Sequence, residues 1–428
     1  VAANPGDRNV NDEGVHQASG FRHSSFSDGD RSMWLLVGFL APLTLLGHFA
    51  LCVAVYNRVH ATGWPRWAVR VVSMSAVIAA VVVPLGLGFW CVSAAQVLAG
   101  AGGMARGVSP LAYLAVCLVA SIYVIGAWVR RQRVDPHADA LVSNHTSVVK
   151  LPRELAGDFV TAALARIPGN QILELNVHEK TVALPRLSPL LDGLAIAHLS
   201  DLHFTGQLKK EFFQEVVDRA NALEVDLAVL TGDLIDDAAC IDWIPDTLGR
   251  LRARYGVFFV LGNHDLRVRN VPRLRATLAD AGITDLGGRW TMLDVRGHPV
   301  FMAGNELPWF THASDATGCP ADRDGKAALR IALSHTPDQI AWARACGFDL
   351  MLAGHTHGGQ ICLPLVGPII SPSRRGVRNI AGAYLEGTTL LHISRGVSGT
   401  KPVRINCPPE LTKLILRPSR RHKRVDCE

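Results

Sequence analysis

The stretch from Ala353 to Gln360 reads Ala-Gly-His-Thr-His-Gly-Gly-Gln and follows the apolar Leu350, Met351 and Leu352. That lead-in is the end of a buried strand opening into a glycine-rich loop. On extended backbone, the spacing of His355 and His357 puts both imidazoles on one face, and the glycines let the chain come close to whatever the rings hold. Four other short apolar runs end in the same way. Residues 194–199 lead into Ser-Asp-Leu-His at Ser200, 227–230 into Thr-Gly-Asp at Thr231, 257–261 into Gly-Asn-His-Asp at Gly262, and 330–333 into Ser-His-Thr-Pro at Ser334. A turn or a helix cap would explain any one of these singly. Together they bring Asp, His and Asn to strand carboxyl ends, where α/β sheets place their ligand sites.

The donors form a coherent set. Asp201, His203, Asp233, Asn263, His335, His355 and His357 are seven oxygen or nitrogen ligands with no thiolate among them. Seven is too many for one tetrahedral ion and suits two, with Asp233 shared. Imidazole mixed with carboxylate favours Mn, Fe, Zn or Co over Ca or Mg. Two such ions, about 3.5–4 Å apart, can hold a bridging hydroxide and clamp both oxygens of an in-line displacement at phosphorus. They also draw an anionic phosphate and neutralise the charge that builds in the transition state.

Placing these residues requires alternating strands and helices. Beyond the runs named above, strands are expected at 172–177, 181–184, 300–303, 390–394 and 411–416. Helices are expected at 209–223, 244–254 and 271–281, with a shorter one at 157–166. That alternation is an α/β domain over 168–416. A mixed linker, 130–167, precedes it and a basic tail, 417–428, follows. The polar stretch 1–32 lacks periodicity and reads as a disordered tail.

Residues 33–129 read as a membrane domain. The runs 34–56, 71–92 and 111–129 contain no Asp, Glu, Lys or Arg and are long enough to span a bilayer. Trp34, Tyr56, Trp67, Trp90 and Trp128 sit near their ends, as interfacial aromatics do. Arg58, Arg66, Arg70, Arg130, Arg131 and Arg133 flank one side of the spans, against Arg22, Arg31 and Arg106 on the other. The basic side faces the cytoplasm, which places the α/β domain there. Nine cysteines with no C-x-x-C pair agree with a reducing compartment. The net charge of +6 over 428 residues forms no stripe that would bind nucleic acid, so none is expected as a partner. No charged residue interrupts the spans to suggest a transport pathway.

At its five motifs the chain resembles the calcineurin-like metallophosphoesterases. The motifs stand in order: Ser-Asp-Leu-His at Ser200, Gly-Asp-Leu-Ile-Asp at Gly232, Gly-Asn-His-Asp at Gly262, Ser-His-Thr-Pro-Asp at Ser334 and Ala-Gly-His-Thr-His-Gly-Gly-Gln at Ala353. The Gly-Gly-Gln at Gly358, Ser394-Arg395-Gly396 and Pro409-Glu410 further resemble a branch of bacterial membrane-anchored phosphoesterases and UDP-diacylglucosamine pyrophosphatases. The resemblance implies a four-layer α/β/β/α sandwich, here preceded by three transmembrane helices. It implies that Asp201, His203 and His357 hold one divalent ion, that Asn263, His335 and His355 hold the other, and that Asp233 bridges them. His264 would be the general acid at the leaving group, with Asp236 paired to it and raising its pKa. Asp237 and Asp265 would be loop residues near the site, His198 a packed histidine, and His298, His312 and His392 carry no assignment. The expected activity is hydrolysis of a phosphoester, phosphodiester or pyrophosphate bond in a phosphorylated small-molecule or lipid-linked substrate. A regulatory or binding protein on the same scaffold is the other reading, and the complete donor set argues against it.

Overall fold

The computed structural model describes residues 28–100, 108–133, 137, 140–310, 313, 322–323 and 326–419. The expected tail at 1–32 lies mostly outside them, as do His312 and the chain beyond Ser419. Three helices come first: α1 (Asp28–His60), α2 (Arg66–Gly100) and α3 (Val108–Arg133). Each holds a segment long and apolar enough to cross a membrane, Gly38–His60, Arg66–Gly86 and Ala112–Arg133. Large apolar side chains such as Phe39, Val81, Leu85 and Ile122 lie exposed on their outer surfaces, which suits a surround as apolar as themselves. Inside, His48 of α1 is buried; its ring nitrogens face the Tyr113 hydroxyl of α3 and, at 3.1 Å, the Ala79 carbonyl of α2. One imidazole thus ties the helices together, a feature hidden from a count of Asp, Glu, Lys and Arg alone.

The rest of the chain runs β1 (Leu141–Lys150), α4 (Phe159–Leu164), β2 (Glu174–Leu184), β3 (Ala195–Leu199), α5 (Lys210–Asn221), β4 (Leu227–Thr231), β5 (Val257–Val260), α6 (Val271–Asp280), β6 (Thr284–Asp285), β7 (Trp290–Val295) and β8 (His298–Asn305). It continues with β9 (Asp322–Arg323), β10 (Lys326–Ala327), β11 (Leu329–Ser334), α7 (Ile340–Ala345), β12 (Leu350–Ala353), β13 (Cys362–Leu363), β14 (Gly367–Pro368), β15 (Gly382–Glu386), β16 (Thr389–Ile393) and β17 (Glu410–Pro418). A seven-stranded sheet has the order β1-β2-β17-β3-β4-β5-β6, and a six-stranded sheet the order β15-β16-β12-β11-β8-β7.

The strands alternate faces with period two, and the burial follows. Ile196, Val229 and Val260 of the first sheet meet Val300, Ile331, Leu333, Leu350 and Leu352 of the second. Ala197, Ala228 and Leu230 turn the other way, onto Phe213, Val216 and Val217 of α5 and Leu274 and Leu278 of α6. On the outer face of the second sheet, Ala332 and Met351 pack with Ile340 and Ala343 of α7. These are the four layers α/β/β/α. β3, β4 and β5 run parallel, as do β8, β11, β12 and β16, so their carboxyl ends open toward one edge of the sandwich.

Several expected elements need correction. The 130–167 linker is largely structured: β1 pairs with β2 over its whole length. Its side chains are almost all exposed, so no apolar alternation marked it as a strand. The two strands expected at 172–177 and 181–184 are a single strand, β2, because the intervening His178, Glu179 and Lys180 pair with β1 on one side and β17 on the other, Lys180 being buried against Glu410. The expected helix at 244–254 is absent. A turn and the single 3-10 turn Leu248–Arg250 stand there instead, after a 3-10 helix that ends at Trp243; Pro245 lacks the N–H that a continuing helix would use. β17 extends to Pro418, so Arg417 belongs to the sheet rather than to a tail.

Candidate metal centre

Five of the expected ligands have left-handed backbone: Asp201 (φ 52°), His203 (48°), Asp233 (52°), His355 (69°) and His357 (51°). Asp and His tolerate that region better than most residues, yet each such residue costs about 1–3 kcal/mol that the surrounding structure must cover. The strain turns each loop sharply back over the strand ends. Close approach completes the fit. A Cβ on Gly354 would collide with the Ser200 hydroxyl and Asp201 Oδ2, and one on Gly262 would lie 2.7 Å from both the Asp233 nitrogen and His335 Cδ2.

Two pairs of imidazoles result. His203 Nε2 faces His357 Nε2 at 3.2 Å, and His335 Nε2 faces His355 Nδ1 at 3.0 Å. Asp201 Oδ1 lies 3.4 Å from His357 Nε2 and 4.0 Å from His203 Nε2. Asp233 Oδ2 looks both ways, 3.1 Å from His335 Nε2 and 3.7 Å from His203 Nε2. Donor atoms of Asp201, His203, Asp233 and His357 lie within 4.8 Å of one another, as do those of Asp233, His335 and His355. Asn263 Oδ1 is buried with no hydrogen-bond partner, and so is His355 Nε2. Among the described residues, no lysine or arginine pairs with Asp201 or Asp233. Two buried carboxylates without a fixed cation, ringed by imidazole nitrogens aimed at common points, fit divalent cations.

The charges show the same demand. Burial pushes the Asp233 carboxyl up, but the His335 and His264 charges prevail and hold it well below the carboxylate range. Burial likewise opposes protonation of His335, yet Asp233 lifts that ring to about 9. Burial keeps His355 and His357 well below the usual imidazole value, so both are unprotonated and free to ligate. Protons on the neighbouring rings occupy the place that cations would take.

Asp236 holds a second layer. Its Oδ2 accepts from His203 Nδ1 at 2.6 Å, and its Oδ1 accepts from His264 Nδ1 and Arg267 Nη1, each at 2.6 Å. Burial would raise this carboxyl, but the two histidine hydrogen bonds hold it well below the ordinary range. One carboxylate therefore fixes the tautomer of both rings. The His264 backbone N–H also donates to Asp233 Oδ1 at 2.7 Å. The expectation that Asp236 raises the His264 pKa is only half met. Burial outweighs the lift from Asp233 and Asp236 and leaves the ring below its ordinary value.

Asp265, expected as a loop residue near the site, is fully buried there and accepts from the backbone of Gly262, Leu234 and Ile235 at 2.8–2.9 Å, knotting the loops of Asp233 and Asn263 together. Other residues at the site were not singled out from sequence. Trp309, in the loop after β8, lays its ring on His355 and His335, with centroids 4.8 and 5.5 Å away. The α1–α2 connection also borders the site. Gly63 abuts Pro308, His60 lies near enough to bear on His355, and Arg66 on Arg267 and Asp236.

His198 and His392 form a separate structure, between the sheets. His198 Nε2 meets the Thr231 hydroxyl at 2.8 Å and its Nδ1 meets His392 Nδ1 at 2.9 Å. His392 Nε2 then meets Lys180 Nζ at 3.2 Å, and Lys180 pairs with Glu410 at 2.5 Å. The chain closes on the ligand side, because the Thr231 carbonyl accepts from His335 Nδ1 at 2.7 Å. His298 is buried on β8 with Nδ1 unpartnered and lies outside both groups.

Comparison with known proteins bears on this geometry. Residues 194–359 match the profile of the calcineurin-like phosphoesterases. The chain is 32% identical over 226 residues to Phosphodiesterase YaeI of Escherichia coli, covering 52% of this chain and 81% of that protein. It is 30% identical over 278 residues to a Transmembrane protein with metallophosphoesterase domain of Bos taurus, covering 59% and 58%. It is 25% identical over 279 residues to UDP-2,3-diacylglucosamine pyrophosphatase LpxG of Chlamydia muridarum, covering 53% and 85%.

Proposed function

The chain belongs to the calcineurin-like phosphoesterases, hydrolases of phosphoester bonds, and from that premise we propose a membrane-anchored phosphohydrolase with a dinuclear metal centre. The observation that carries this is Asp233 Oδ2, which faces a ring nitrogen of each imidazole pair. Asp201, His203 and His357 would hold one ion, Asn263, His335 and His355 the other, with Asp233 between them. The donor set favours Mn, Fe, Zn or Co. When bound, the ions would supply an activated water and the positive charge that a phosphoryl transition state needs.

The protein's own groups do the rest. His264, with Nδ1 held by Asp236, turns Nε2 outward as the proton donor to the leaving oxygen. An anionic phosphate beside that nitrogen favours the protonated ring and offsets the effect of burial. Arg267, whose Nη2 lies 3.3 Å from His264 Nε2, is placed to take a phosphate oxygen. Trp309 walls the site behind His355.

The substrate we infer is a lipid- or nucleotide-linked phosphodiester or pyrophosphate. Support comes from the α1–α2 connection beside the site and from the relative named for a UDP-linked lipid precursor. The arginines flanking the spans favour a cytoplasmic catalytic domain. The test is metal analysis of the purified chain, joined to a hydrolysis panel of bis(p-nitrophenyl) phosphate, nucleotide-linked lipids and lipid extracts. Two ions per chain with turnover of the diester is the expected result. A chain that binds no divalent ion and turns nothing over would support the scaffold-only reading instead.

A further inference from the structure

The segment after the catalytic histidines carries side chains that neither the site nor the core uses. β13 and β14 form a hairpin whose flanks and tip, Ile361, Leu363, Leu365, Val366, Ile369 and Ile370, are exposed, Leu365 to 87%. So apolar a tip is costly in water and marks a surface for another apolar phase. Its position says which phase. The Trp128 indole donates to the Leu365 carbonyl at 2.8 Å, and Asn57 grips the other arm, donating to Ile369 O at 3.4 Å and accepting from Ser371 N at 3.0 Å. Trp128 stands one residue inside the end of the uncharged run 111–129, just before Arg130 and Arg131, where an interfacial aromatic belongs. Any bilayer that contains that segment holds Leu365 at the same depth.

Directly after the hairpin the chemistry reverses. Arg374, Arg375 and Arg378 join Arg58 at the end of α1, with Tyr123 and Glu386, around a cavity of about 300 Å³. Glu386 is taken up by Arg375 at 2.8 Å and Asn379 at 3.0 Å. Among the described residues, no ion pair involves Arg58, Arg374 or Arg378. Arg131 Nη2 donates to Val377 O at 2.9 Å and fastens this loop to the last turn of α3. An excess of guanidinium groups beside the ends of α1 and α3 suits phosphate, which they bind by paired N–H donors.

We propose that residues 361–378 are a second membrane-binding element, in which the apolar hairpin enters the leaflet beside α3 and the arginine cavity receives the phosphate of an anionic phospholipid. This rests on the reading of the three helices as membrane spans. The consequence reaches the catalytic loop, because Gly359 abuts Pro368 of the hairpin. The bilayer surface then fixes the height of His355 and His357 above the lipid.

The test uses the full chain in vesicles of phosphatidylcholine and phosphatidylglycerol, with an environment-sensitive fluorescent amino acid at one position at a time. The positions are Leu365, Val82 in α2, and Val148, exposed near the far end of β1. Bromine is carried on the acyl chains of one lipid or the other. The expected result is quenching at 365 and 82 and none at 148. Phosphatidylglycerol should quench at 365 more strongly than phosphatidylcholine, by about fivefold in apparent affinity for each arginine engaged, the equivalent of ~1 kcal/mol. Arg374→Gln with Arg378→Gln should remove that preference and leave the quenching. Quenching at 82 but not at 365 overturns the inference and leaves the spans standing. No quenching at 82 overturns the spans, and the inference with them. Equal quenching at 365 by both lipids overturns the phosphate site, and quenching at 148 as strong as at 365 overturns a contact confined to this segment.

Discussion

Two regions of this molecule are rich in buried histidine, and they solve opposite problems. Between the sheets, His198 and His392 have every ring nitrogen matched by a protein group, from the Thr231 hydroxyl to Lys180. At the strand ends, imidazole nitrogens face each other in pairs, while Asn263 Oδ1 and His355 Nε2 have no partner. Burial is similar in the two places, and so is residue type. What differs is closure: a polar chain that satisfies itself needs no ligand, whereas donors converging without acceptors call for a cation.

The largest effect should follow from the carboxylate that faces both imidazole pairs. Asp233→Asn should empty both metal positions and abolish measurable hydrolysis of bis(p-nitrophenyl) phosphate, with metal content read by elemental analysis. Two ions and normal turnover in that variant would remove the distinction drawn above. His264→Ala should leave the metals bound and lower turnover by about 10²–10⁴ on substrates whose leaving group needs a proton. For p-nitrophenolate, which leaves unprotonated, the loss should shrink. Equal slowing of both substrate types would make His264 a phosphate-positioning group.

The region between the sheets should fail in the other way. Lys180→Met leaves the buried Glu410 only the longer pairing with Arg395, 3.7 Å away, and should cost ~3 kcal/mol of stability, read by denaturant unfolding, with metal content unchanged. Lys180→Met combined with Glu410→Met should recover most of it. If the double variant is as unstable as the single, the pair is not the unit that matters. The acid side offers a finer measure. Burial would raise the Glu410 carboxyl, but the Lys180 charge holds it well below its ordinary value. Its contribution is therefore complete above the unfolded pKa of about 4.3 and is lost as pH falls through the lower folded value. Glu410→Gln should flatten the dependence of the melting temperature on pH below about 4.3. The smallest change is expected at Arg267, whose side chain is 42% exposed beside Asp236. Arg267→Gln should cost ~1 kcal/mol or less in stability.

The candidate site was largely legible in one dimension because every donor stands just after one of five strands. Five short runs with the right side chains at their ends needed only a common sheet edge to meet. The helix expected at 244–254 does not form because Pro245 stands at its second position and turns replace it. β1 carries no signal in the sequence because an exposed edge strand buries too little to impose alternation. The polar stretch His178-Glu179-Lys180 interrupts the apolar pattern of β2, and only the packed sheets bring Lys180 to Glu410, 230 residues away.

The residue types, and their places at strand ends, fixed the chemistry of the centre and the α/β alternation, because both depend on neighbours in the chain. Tertiary structure alone decided that His198 closes on His392 and that Asn263 Oδ1 and His355 Nε2 are left facing an open position. It also decided that Asp236 serves two imidazoles, that Trp309 backs the site, and that an apolar hairpin sits at the level of Trp128. Each of these is a distance between segments far apart in sequence, and only the packed sheets and helices set such distances.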